Sequence, residues 1–152
     1  MNYLKESEEI LNKYRIFKIS LENLKERQEK IVRSGMPSDV KVIDYSKPAI
    51  QHQAYSKDTM NQICEIVSIN KEIIKTEEEI KIITKILEQI KEENETSYKF
   101  IYLRYIKKEK LSMKKIAEEL GYSTDSNDTI YKIKEKALIL FSILYFGVNA
   151  MN

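Results

Sequence analysis

Apolar residues recur along two long stretches of the chain at alternating spacings of three and four. In the first stretch, with only Ser7 and Gln28 polar, the repeating positions are Tyr3, Ser7, Ile10, Tyr14, Phe17, Leu21, Leu24, Gln28 and Ile31. In the second stretch they are Ile66, Ile69, Ile73, Thr76, Ile80, Ile83, Leu87 and Ile90. This heptad spacing predicts two long helices that pack against other helices, because it aligns the apolar side chains in one stripe along each helix.

Glycine and proline separate the two predicted helices. The first helix, 1–34, ends where Ser34-Gly35 is followed by Pro37, and the second occupies 57–96. The connection, 35–56, holds both prolines and shows only a weak strand-like pattern. Two heptad helices joined in this way are typical of an α-hairpin within one chain or of a dimeric coiled coil. We expect a homodimer formed through these helices.

The pattern changes to shorter helices after residue 96. A helix is predicted over 98–107, and a second short helix has Leu111, Ile116, Ala117 and Leu120 on its inward face. Gly121 supplies the turn, and Ser126 or Asp128 can cap the last helix. The inward face of that helix is predicted to contain Ile130, Ile133, Ala137, Leu140, Phe141 and Leu144. Together, residues 97–148 are predicted to form a helix-turn-helix DNA-binding domain, so the predicted fold is all-α.

The last helix carries the candidate base-reading residues. At about 100° per residue, the side chains that point away from its apolar face are Asp128, Tyr131, Lys132 and Glu135. Asn127, Thr129, Lys134 and Lys136 flank them. Tyrosine and lysine can reach phosphates, and Asn127 can reach either a base edge or a phosphate. The two acidic residues would repel phosphates unless they accept hydrogen bonds from cytosine or neighbouring lysines.

Charge adds a second candidate surface. The net charge of the chain is only +2 at pH 7, but segment 98–115 holds seven basic residues against one acidic residue, Glu109. The predicted phosphate-binding residues there are Arg104, Lys107, Lys108, Lys110, Lys114 and Lys115. The alternative is a solvated charged face on a helical bundle, with no ligand.

Composition gives no support for an enzyme, a metal site or a cofactor. His52 is the single histidine and lies in a polar stretch without catalytic partners. Cys64 is also single, so it cannot form an internal disulfide, and we expect a small buried side chain in a reducing compartment. The longest nearly apolar run, 137–148, is too short for a membrane span, which needs roughly 20 residues. We therefore expect an intracellular protein without membrane contact.

The last helix is apolar on every side between Leu138 and Phe146. A three-helix domain cannot cover all of these side chains by itself. We therefore expect this end to pack against the long helices or against a second subunit.

The segment YLRYIKKEKLSMKKIAEELGYSTDSNDTIYKIKEKAL resembles region 4 of sigma-70-type factors, which reads the −35 promoter element. The matching features are the IAEELGYS turn and the residues of the following helix, namely Thr129, Ile130, Lys134, Ala137 and Leu138. The resemblance implies promoter recognition by the helix after the turn.

The order of elements along the whole chain is similar to that of phage late-gene transcriptional regulators of the RinA/ArpU type. The similarity rests on the first long helix, a loop containing Gly-Met-Pro, the second long helix and the terminal sigma-like segment. It implies binding to double-stranded promoter DNA in the cytoplasm of a bacterial host, and it is compatible with contact to RNA polymerase. Two alternatives remain: a phage small terminase subunit that binds a packaging site, and a sigma-like coiled-coil adaptor of RNA polymerase without DNA affinity of its own.

Overall fold

A computed structural model describes residues 1–33, 57–123 and 127–151, and in these ranges the chain forms five α-helices and no strand. The α-helices are α1, Tyr3–Arg33; α2, Lys57–Glu93; α3, Glu95–Ile101; α4, Met113–Glu119; and α5, Asn127–Phe146. A π-helical segment, Tyr102–Ile106, follows α3, and a 3₁₀ turn, Val148–Met151, follows α5. The prediction of an all-α chain is confirmed. The connection 35–56 and the candidate cap Ser126 lie outside the described residues.

The prediction of a helix over 98–107 was wrong at its start, whereas helical structure does end at Ile106, within one residue of the predicted end. α3 begins three residues earlier because Asn94 caps it, with its side-chain oxygen accepting a hydrogen bond from the Ser97 amide at 3.1 Å. At the other end the helix widens into the π-helical segment, where the Lys107 amide donates to the Tyr102 carbonyl at 2.8 Å. Regular α-helix therefore stops at Ile101.

The described residues form two compact units, 19–78 and the combination of 1–18 with 79–152. In the first of these, α1 and α2 of the same chain are linked by side chains. The linked pairs are Lys25 with Glu77 at 3.1 Å, Gln28 with Asn70 at 3.1 Å, and Arg27 with Glu65 at 3.3 Å. Ile69 and Ile73 are buried between them. Exposed pairs of this kind contribute little energy, so the apolar stripe supplies most of the stabilisation.

The other unit, residues 1–18 with 79–152, has one core to which all five helices contribute. Its buried side chains are Leu11, Tyr14, Ile83, Ile86, Leu87, Ile90, Phe100, Ile101, Tyr105, Ile116, Ala117, Ile130, Ala137, Leu138 and Phe141. The segment 97–148 thus shares its core with the beginning of α1 and the end of α2.

The structure corrects three burial predictions. Leu11 lay outside the predicted stripe of α1 but is fully buried, since α1 contacts several helices and its buried face is wider than a heptad stripe. Leu144 was predicted to face inward but is 36% exposed, whereas Leu138 is buried in its place. Cys64, expected to be buried, is exposed.

The apolar end of α5 packs on the long helices, as one of the two predictions for it stated. The rings of Tyr3 and Phe146 lie 5.3 Å apart between centroids. The Tyr145 hydroxyl donates to a carboxylate oxygen of Glu79 at 3.3 Å. Burial, together with this carboxylate, raises the pKa of Tyr145 above its usual value. Packing on a second subunit stays a prediction. Within the described residues, none of the helices is both long and apolar enough to span a bilayer.

Replacement of Leu11 by Ala should destabilise the protein strongly. Leu11 is fully buried, and its truncation leaves a cavity that costs about 2–5 kcal/mol in the free energy of unfolding. Ile16→Ala, on the same helix at a position 62% exposed, should cost less than about 0.5 kcal/mol. Denaturant unfolding measures both, and equal losses would contradict the assigned core.

Replacement of Ser7 by Ala should stabilise the protein by about 0.5–1 kcal/mol. The Ser7 hydroxyl is buried in α1 and has no hydrogen-bond partner among the described residues, and alanine is the better helix former. The matched control is Ser142→Ala, because the Ser142 hydroxyl is equally buried but donates to the Ile139 carbonyl at 2.8 Å. Thermal unfolding in which the two variants shift in the same direction by the same amount would contradict this assignment.

Candidate nucleic-acid interface

Local hydrogen bonds define both ends of α4. Ser112 caps α4, its hydroxyl accepting from the Lys115 amide at 3.3 Å. At the other end Gly121 adopts a φ of +83°, which side chains disfavour. Its amide donates to the Glu118 carbonyl at 3.0 Å, and the Tyr122 amide donates to the Ala117 carbonyl at 2.8 Å. This pair of bonds is a Schellman motif, which ends α4 at the position where the turn was predicted.

The inward and outward faces of α4 agree with the sequence pattern. Ile116 and Ala117 are buried in the core, and Leu111 and Leu120 pack against it. Lys114 and Lys115 are exposed, and neither makes an ion pair among the residues that the structure describes.

The first turns of α5 present the predicted outward residues to solvent. Asp128, Tyr131, Lys132 and Glu135 are all exposed, with Tyr131 at 56%. Of the flanking residues, Asn127 and Lys136 are exposed and Thr129 is half-buried. Ile130, one residue before Tyr131, is buried in the core and orients this face.

Lys134 does not share this exposure. Its ammonium lies 3.0 Å from a carboxylate oxygen of Glu8 on α1, and its side chain is 25% exposed. The same oxygen accepts a hydrogen bond from the Tyr105 hydroxyl at 2.8 Å. Lys134 therefore links α5 to α1 and is less available to a phosphate than its neighbours on the helix.

The contacts around Glu8 shift the pKa values of Glu8 and Tyr105. Burial alone would raise the pKa of Glu8, but the hydrogen bonds from Tyr105 and Lys134, with the positive charges nearby, lower it below the usual value. Burial and the adjacent carboxylate raise the pKa of Tyr105 far above its usual value. Glu8 is thus held as a carboxylate, and Tyr105 as the neutral hydroxyl that donates to it.

The basic segment 98–115 separates into paired and unpaired cations. Arg104 donates to the Leu111 carbonyl at 3.0 Å, Lys110 contacts Asn12 at 3.3 Å, and Lys99 pairs with Glu95 at 3.4 Å. Lys107 and Lys108, like the two lysines of α4, make no ion pair among the described residues. The predicted phosphate-binding set therefore contains four lysines without side-chain partners.

Sequence reasoning missed the residues of α1 that contact this surface. Arg15 donates to the Lys108 carbonyl at 2.7 Å. Asn12 accepts a hydrogen bond from Lys110, and Glu8 forms an ion pair with Lys134. More than 90 residues separate the partners along the chain in each pair. No local pattern signals such contacts.

The described residues contain no group of three or more His, Cys, Asp or Glu side chains that could hold a metal ion. Comparisons with known protein families, with curated proteins and with solved structures find no match to this chain.

Replacement of Tyr105 by Phe should raise the pKa of the Glu8 carboxyl, because it removes a hydrogen bond that favours the ionised form. Carboxyl titration followed by NMR measures this pKa, which in the unchanged protein should lie below 4.5. The control is Tyr131→Phe, at an exposed tyrosine, which should leave Glu8 unaffected.

The same pKa has a consequence for stability. Because the pKa of Glu8 is lower in the folded state, its stabilising contribution is present above about pH 4.5 and is lost as the pH falls through the folded value. The difference in unfolding free energy between the unchanged protein and Glu8→Gln should therefore shrink in acid. A difference that is constant with pH would argue against the ion pair with Lys134.

Proposed function

We propose that this protein is a sequence-specific DNA-binding transcriptional regulator, an activator of phage or prophage late genes. In this proposal α4, the turn at Gly121 and α5 act as a helix-turn-helix, with α5 in the major groove of promoter DNA. The observation that carries the proposal is the exposed face of the first turns of α5. Asn127, Asp128, Tyr131 and Lys132 are all accessible there while Ile130 anchors the helix in the core. Residues in these turns of a second helix are the ones that contact base edges in helix-turn-helix proteins.

Phosphate binding is assigned to the unpaired lysines before α5. Lys107, Lys108, Lys114 and Lys115 have no side-chain partners among the described residues, so no existing ion pair has to break when they meet DNA. Each phosphate neutralised by a lysine releases counterions and adds to affinity. Arg104, Lys110 and Lys134 are engaged within the protein, and we assign them to positioning.

The outward face of α5 is suited to selectivity more than to affinity. Lys132 and Lys136 are offset by Asp128 and Glu135, so this face attracts phosphates weakly. A carboxylate in the major groove can accept from the amino group of cytosine and is unfavourable opposite other bases. We therefore expect α5 to discriminate between sequences and the lysines to provide most of the salt-dependent binding.

The proposed partners are double-stranded promoter DNA, RNA polymerase and a second copy of the chain. In residues 19–78 side chains link α1 to α2, but stripe residues such as Leu21, Leu24 and Ile66 are only half-buried, so the heptad helices keep apolar surface for a second copy. Light scattering tests self-association, and a monodisperse monomer at working concentrations would overturn the dimer.

Replacement of Tyr131 and Lys132 together by Ala should abolish the preference for a specific DNA sequence and leave helicity unchanged. The specific duplex is first selected from a randomised library with the unchanged protein, and gel shifts then compare it with a scrambled duplex. Tyr102→Ala with Lys99→Ala removes the same residue types from exposed positions elsewhere and should retain the preference. If the Tyr131 and Lys132 variant still prefers the selected duplex, the groove assignment is wrong.

Replacement of Lys107 and Lys108 together by Ala should weaken binding to the selected and the scrambled duplex equally. The slope of log affinity against log salt should fall by about 1.8, because two phosphate contacts are lost. Lys81→Ala with Lys85→Ala removes the same charge from exposed positions on α2 and should leave the slope unchanged. A slope that responds equally to both variants would indicate a general charge effect.

Two outcomes of these experiments would replace the proposal. Ring-shaped oligomers that select a packaging site would identify a small terminase subunit. Capture of RNA polymerase without any shift of DNA would identify an adaptor.

A further inference from the structure

We propose that a polar stripe on α1, formed by Glu8, Asn12 and Arg15, positions the DNA-binding surface without touching DNA. The stripe acts on the basic loop, residues 107–110, and on α5. This inference rests on the proposed function, and it assigns a role to a helix that the proposal otherwise leaves as scaffold.

The three stripe residues lie on one face of α1, since their spacings are four and three. Each of the three contacts a different residue of the proposed DNA-binding surface. Arg15 donates to the backbone carbonyl of Lys108 at 2.7 Å, and Asn12 accepts from the Lys110 ammonium at 3.3 Å. Glu8 accepts from Lys134 of α5 at 3.0 Å. Leu11 and Tyr14, between them in sequence, are buried in the core and fix the helix beneath the stripe.

The basic loop depends on such contacts because its own backbone is not helical. The chain leaves the π-helical segment at Lys107 with φ −59° and ψ 140°, and α4 begins only at Met113. Two guanidinium groups hold carbonyls in this stretch: Arg15 at Lys108, and Arg104 at Leu111. Hydrogen bonds from a charged donor are stronger than neutral ones. The loop is thus held through its backbone, and the side chains of Lys107 and Lys108 make no ion pair among the residues that the structure describes.

Ordering the loop before DNA arrives should increase affinity. A lysine on a disordered loop loses backbone freedom when it binds a phosphate, whereas a lysine on an ordered loop has already lost it. The guanidinium of Arg15 donates to a carbonyl, so no carboxylate offsets its positive charge in this contact and that charge could attract DNA by itself. Its contribution through the loop must therefore be separated from a general charge effect.

The matched control for charge is Lys13, an exposed residue two positions away on α1 whose side chain makes no hydrogen bond or ion pair among the described residues. Arg15→Ala and Lys13→Ala each remove one positive charge from the same helix. In full-length protein without DNA, amide hydrogen exchange over 107–111 should accelerate in Arg15→Ala and stay unchanged in Lys13→Ala. Equal exchange in both variants would overturn the positioning role.

The second test measures affinity for a short synthetic duplex at several salt concentrations. Arg15→Ala should bind about five-fold more weakly, a coupling of the size expected for residues in contact, and Arg15→Lys should recover part of the loss. In a background of Lys107→Ala with Lys108→Ala, the Arg15→Ala effect should disappear, since the lysines through which it acts are gone. A full, additive effect in that background would show that Arg15 acts on DNA directly and would overturn the inference.

The two proposals fail in different ways. If the unchanged protein binds no duplex, the proposed function is wrong. If it binds DNA and Arg15→Ala binds equally well despite faster loop exchange, the function stands and the positioning role is wrong.

Discussion

The C-terminal helices depend on a core that they cannot form alone. α3 and α4 each have seven residues, and isolated helices of that length are unstable in water because nucleation costs more than the few hydrogen bonds return. Both are stabilised by burial against long helices, with Phe100 and Ile116 fully buried in a core that includes Leu11 of α1. Any function of α4 and α5 therefore requires the end of α2 and also the beginning of α1, although the latter lies far away in the sequence.

Polar contacts at the edge of this core determine which basic side chains are bonded within the protein. Glu8 holds Lys134 and accepts from Tyr105, so one lysine of α5 becomes a link between helices. Arg104 and Arg15 bind carbonyls of the segment before α4. In the described structure, the cations of the basic segment are thus divided into those bonded within the protein and those without an ion pair.

In the proposed function, this division assigns phosphate binding and base recognition to different residues. The lysines of the basic segment that make no ion pair among the described residues lie before α5, whereas the exposed face of α5 carries both signs of charge. Binding strength and sequence preference would then come from different elements, and salt should affect the first much more than the second. α1 connects the two elements, since its polar stripe contacts the basic loop and α5.

The sequence by itself determined the features that depend on neighbouring residues. Heptad spacing predicted the two long helices, the apolar positions of α4 predicted its inward face, and Gly121 predicted the turn, because spacing and a positive φ are local properties. Only the tertiary structure decided the burial of Leu11, the exposure of Cys64 and Leu144, and the contacts of Arg15 and Lys134. The surroundings of these residues depend on how several helices, some of them far away along the chain, pack together. The spacing of apolar residues within one helix does not predict that packing.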